Sequence, residues 1–165
     1  MYELKRLSKD AIPSALAKAE RYRLLNEPAE AESICDDVLA VDPENQQALV
    51  MLLLALTDQF PEDGLGHVAR AQEIVTRLRD PYDRAYYAGI VSERRARALL
   101  AHRRGGSGGV AADWFHDALR QFEAAIAIRP AGNDDAILRW NACARVLNRL
   151  PATELREVPE AILSE

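Results

Sequence analysis

The chain has 165 residues, 48% apolar and 28% charged, the balance of one soluble domain with length for a real core. Its net charge of −5 argues against nucleic acid as the main partner. Cys35 and Cys143 lie far apart without metal-ligand spacing, which excludes a disulfide framework and points to buried free thiols.

In chain order, the opening MYELKRLSKD has no apolar run of the kind a signal peptide needs, so a cytoplasmic location is expected. Asp10 is placed to cap a helix running through Leu25, with Pro13 tolerated in its first turn. Ile12, Leu16, Ala19 and Tyr22 form one helical stripe. Asn26 ends this helix by adopting a left-handed conformation, and Pro28 opens the next at its favoured first position. The second helix buries Ala31, Ile34, Cys35 and Val38 and stops before Asp42-Pro43. So short a connection makes the two helices antiparallel neighbours.

Gln46–Gln59 forms the third helix. From Ala48 to Leu56 it carries no polar residue, and a helix that is apolar all round is buried on several sides. It is too short to cross a bilayer, which takes about 20 residues. Pro61, Gly64 and Gly66 mark a loop, followed by a helix from Leu65 to Leu78 that buries Val68, Ala71, Ile74, Val75 and Leu78. Asp80 then caps a long helix with Pro81 at its first position. The run RRGGSGGV reads as a flexible linker, with residues 104–109 expected to be mobile. A further helix spans Asp113–Ile128. Asn133 or Asp134 caps the last one, Asp135–Asn148, with Ile137, Trp140, Ala144 and Leu147 as its apolar stripe, before an acidic tail over 151–165.

The first helix pair resembles a tetratricopeptide repeat, whose pattern W-x2-L-G-x2-Y…A-x3-F…P recurs every 34 residues. Ala19, Tyr22, Ala31, Cys35 and Pro43 stand at the family's positions, while Ala15 and Lys18 replace its Trp and Leu. The clearest signature is DALRQFEAAIAIRP, with Ala118, Phe122, Ala125 and Pro130 at the family's spacing. Either Gly89 or Ala88 is the close-contact residue of the partner helix, and Leu53 stands where the family has a small residue. The resemblance covers roughly residues 11–150. It implies an all-α fold: a short α-solenoid of three helix pairs, about 11–43, 44–80 and 81–130, closed by a capping helix over 134–149.

The motifs of common chemistries are missing. There is no G-x-x-x-x-G-K-[ST] run, and His67, His102 and His116 lack the spacing of a zinc helix. Asp113, His116 and Asp117 share a helix face that reads as solvated, and Trp114 and Trp140 read as packing residues. No catalytic residue, metal or cofactor is expected, and the chain is not expected to be an enzyme. The resemblance implies instead a non-catalytic protein–protein interaction module, a scaffold or adaptor whose first helices line a concave groove. The expected groove residues are Val50, Met51 and Leu54, faced by Tyr87 and Val91. Left open they would form a larger apolar patch than most monomers tolerate. The expected cover is a peptide or helix of a protein partner, with self-association as a homodimer through the same surface the alternative. The tail, with Leu155, Val158 and Ile162 at helical spacing, is a third occupant. Arg94, Arg95, Arg97, Arg103 and Arg104, with His102, make one basic cluster, which reads first as a solvated face and, as the functional alternative, as a site for an acidic segment, of protein rather than of nucleic acid.

Overall fold

The computed structural model describes residues 1–63, 65–102 and 107–151, and among these the protein is all-α. A 3-10 turn, Lys9–Ala11, leads into eight helices: α1 (Ile12–Leu24), α2 (Pro28–Val41), α3 (Gln46–Asp58), α4 (Phe60–Asp63), α5 (Leu65–Arg77), α6 (Pro81–Ala101), α7 (Ser107–Ile128) and α8 (Asp135–Leu147). Consecutive helices pack antiparallel. In addition α1 touches α3, and α3 touches α6.

Local chemistry explains most of the boundaries. Asn26 has a φ of 61°. The Asn26 N–H donates to the Arg23 carbonyl and the Glu27 N–H to the Tyr22 carbonyl, each at 2.9 Å. This left-handed termination satisfies the last carbonyls of α1. Asn45 caps α3, its side-chain oxygen accepting from the Ala48 N–H at 2.9 Å. Asp80 caps α6, accepting from the Tyr82 N–H at 2.8 Å. Such caps satisfy amides that have no partner within the helix.

Four expectations are corrected. Asp10 does not cap α1, because it falls in the preceding 3-10 turn, and no side chain caps that helix. The stretch expected to loop at Pro61 is a helical turn, α4, anchored by Phe60 at 1% exposure. Helix α7 starts at Ser107 rather than Asp113, so the second half of the Gly-rich run is helical. Gly108 is buried there, and packing of α7 along α6 outweighs a helix penalty of about 1 kcal/mol per glycine. The rest of that run, residues 103–106, lies outside the described residues, as does Gly64. Finally, α8 buries Leu147 as expected, but Ala136 and Cys143 take the core positions expected of Ile137 and Ala144, which are half-buried like Trp140.

The interior consists of two main clusters. One gathers Ala19, Ala31, Cys35, Leu49, Leu52, Leu53, Leu56 and Phe60 with the inward side of α5 and with Val91. The other joins α6, α7 and α8 around Ile90, Phe115, Phe122 and Cys143. Leu54 and Tyr87 pack on both. The α6–α7 crossing depends on Gly89, where an added Cβ would lie 2.5 Å from the Phe122 ring. Gly89, not Ala88, is therefore the close-contact residue. Outside the core, Arg70 on α5 pairs with Glu32 and Asp36 on α2, and Gln59 donates to Glu32 at 2.7 Å. Among the described residues no helix is long and apolar enough to cross a membrane.

Candidate functional site

A cleft of about 520 Å³ opens between α1, α3, α6 and α8. Arg23 reaches it from the last turn of α1, Asp58 from the end of α3, Arg94 and Arg97 from α6, and Arg139 from α8. Because α3 packs on both α1 and α6, the C-terminal ends of α1 and α3 meet the second half of α6.

Two carboxylates hold the four guanidiniums. Arg23 Nε donates to Asp58 Oδ2 at 2.8 Å, and Arg94 Nη1 donates to Asp58 Oδ1 at 3.1 Å. Arg97 Nε donates to Glu93 Oε1 at 2.9 Å, one helical turn away on α6. Arg139 Nη1 stands 3.6 Å from the same Glu93 oxygen. The Glu93 side chain is fully buried, while those of Arg97 and Arg139 are 44% and 38% exposed. Burial opposes the charge of Arg139, but Glu93 and Tyr86 more than offset it, so its pKa lies above the ordinary value. Arg97 also lies over the Phe115 ring at 5.9 Å, a cation–π placement.

With four guanidiniums facing two carboxylates, the cleft keeps an excess of positive charge within an acidic chain. Guanidinium stays charged at any ordinary pH and presents a planar fork that matches carboxylate or phosphate oxygens. The cleft is therefore chemically equipped to hold an anion. The two cysteines elsewhere in the fold are disarmed as nucleophiles. Both thiols are buried, and burial pushes Cys35 and Cys143 up to about 12; a thiol that stays protonated is inert as a nucleophile. Ser92 donates to Asp117 at 2.6 Å. Asp117 also pairs with Arg120 at 2.7 Å, so the acidic face of α7 is engaged in ion pairs and hydrogen bonds. Among the described residues no group of three or more His, Cys, Asp or Glu could hold a metal ion.

The expected apolar groove is not arranged as an open surface. Val91 is 1% exposed and belongs to the core. Val50, Met51, Leu54 and Tyr87 are half-buried and pack against the same cluster. The physical reason is that α6 packs against α3, so the two sets of side chains cover one another. None of the five lines the arginine cleft. Of the basic cluster, Arg94 and Arg97 line the cleft. Arg95 is half-buried and does not line it, since one residue turns about 100° around a helix. His102 Nδ1 lies 3.1 Å from the Ala98 carbonyl. Arg103 and Arg104 lie outside the described residues.

The sequence reading missed Arg23, Asp58, Glu93 and Arg139. A signal was present for Glu93: it stands three residues after Ile90 and three before Ala96, in the middle of a buried stripe. A charged residue at core spacing needs a buried partner. Arg139 stands similarly between Ala136 and Cys143. Comparison with known proteins adds no relative: no family model, no curated protein and no solved structure matches the chain.

Proposed function

We propose that the protein is a non-catalytic binding module whose arginine-lined cleft receives an acidic peptide segment of a protein partner. The observation that carries this reading is the convergence of Arg23, Arg94, Arg97 and Arg139, from α1, α6 and α8, on a single cleft. Such a cluster is placed to steer and orient an acidic chain. We read the helices as a short array of tetratricopeptide-like pairs with α8 as its cap. The full burial of Ala19, Ala31, Cys35, Ala118, Phe122 and Ala125 at the family's spacing supports this, as does the close approach at Gly89. In that array the cleft belongs to the surface formed by the first helices. The apolar face at Val50, Met51 and Leu54, and self-association through it, has less support because that face is half covered by the chain itself.

The test is a titration of a fluorescein-labelled hexaglutamate peptide, followed by anisotropy at low and moderate salt. Arg94→Glu is expected to weaken binding at least about tenfold, with affinity falling as salt rises. Met51→Gln is expected to leave it unchanged. Loss on Met51→Gln with none on Arg94→Glu would move the site to the apolar face. Displacement of the peptide by a duplex oligonucleotide, at lower concentration than by unlabelled peptide, would contradict a protein partner.

A further inference from the structure

The two carboxylates of the cleft differ in a way their shared charge hides. Asp58 is 19% exposed and lines the cleft itself. Each of its oxygens accepts from a different guanidinium, Arg23 on α1 and Arg94 on α6. It therefore occupies the place that an incoming carboxylate would take. Glu93 is fully buried and cannot touch a ligand. One of its oxygens holds Arg97 and faces Arg139, and the other accepts no hydrogen bond from the protein. Arg97 and Arg139 leave the core from this shared anchor and expose roughly two-fifths of their surface.

We infer that these carboxylates act in opposite senses on an acidic ligand. Asp58 is a built-in competitor seated in the Arg23–Arg94 subsite, whereas Glu93 is a positioning residue that fixes Arg97 and Arg139 for binding. This rests on the reading of the cleft as an acidic-peptide site and names how its specificity is set. A ligand carboxylate must displace Asp58, so weak or singly charged anions are rejected. A peptide with successive acidic side chains gains from both arginine pairs at once, displacing Asp58 at one and meeting Arg97 and Arg139 as Glu93 holds them. Preorganised donors lose less freedom on binding than mobile ones.

Simple charge counting makes a different statement. Removing either negative charge raises the positive potential of the cleft, so Asp58→Asn and Glu93→Gln should both tighten binding. The inference requires opposite signs. With the hexaglutamate probe on the full chain, Asp58→Asn is expected to bind roughly three- to tenfold more tightly. Glu93→Gln is expected to bind more weakly by a similar factor. Glu93→Asp keeps the charge but draws the carboxylate back from Arg97 and Arg139, so it too should weaken binding, which also tests Glu93 should Glu93→Gln fail to fold. Arg139→Gln should cost less affinity in the Glu93→Gln background than in the parent, a coupling that general destabilisation does not produce. If the parent binds and both neutralising variants shift in the same direction, or Glu93→Asp binds as the parent does, the inference is overturned while the site reading stands. If neither the parent nor Asp58→Asn binds the probe, the site reading itself falls, and the inference with it.

Discussion

Helices α3 and α6 touch one another, yet they do different work. Helix α3 buries Ala48, Leu49, Leu52, Leu53, Ala55 and Leu56, with α1, α2, α5 and α6 all packed against it. It contributes stability and, until Asp58 at its end, no functional group. Helix α6 buries Tyr82, Gly89, Ile90 and Val91 and then changes character, burying Ser92 and Glu93 and presenting Arg94 and Arg97 to the cleft. A helix that is apolar on every side is buried among its neighbours, whereas one that places charges at core spacing must arrange partners for them. The cleft is where those partners are.

The contrast can be broken most forcefully on the α3 side. Leu53 is fully buried, and Leu53→Ala should cost about 2–5 kcal/mol by leaving a cavity. Chemical denaturation measures this, and an unchanged midpoint would show that α3 is not the structural centre. On the α6 side, Gly89→Ala would drive a methyl group to within 2.5 Å of the buried Phe122 ring, an overpacking penalty of about 1–3 kcal/mol. A neutral result would mean that the α6–α7 crossing is looser than described.

The smallest effect comes from Asp83, in the first turn of α6. Burial, and then the neighbouring Asp80 carboxylate, raise its pKa. A carboxyl whose folded pKa is raised contributes stability that is fully present below its unfolded pKa and is lost as pH rises through the folded one. At pH 7 its charge is therefore unfavourable. Asp83→Asn should raise the thermal midpoint by about a degree at pH 7 and have less effect near pH 3. A lowered midpoint at pH 7 would reverse the sign of this argument.

Helix existence was legible because it rests on local chemistry. Asn26, Pro28, Asp80 and Pro81 act at their own positions, and the structure places them within two residues of the helix ends they mark. The start of α7 was not legible, since the glycines of the run favour a linker until α6 is there to pack against. The cleft was half legible. Arg94 and Arg97 stand out as a charge run, but Arg23, Asp58 and Arg139 lie far apart in sequence and meet only through the packing of α1, α3, α6 and α8. Val91 was expected to face the groove from the neighbouring helix, because one helix alone does not reveal which apolar face its neighbour covers.

The most direct measurement is a chemical-shift map of the isotopically labelled protein titrated with unlabelled hexaglutamate. The account predicts the largest shifts at the amides and guanidinium protons of Arg23, Arg94, Arg97 and Arg139, with Val50, Met51 and Leu54 unmoved. Shifts centred on Val50, Met51, Leu54 and Tyr87, with the four arginines silent, would contradict it.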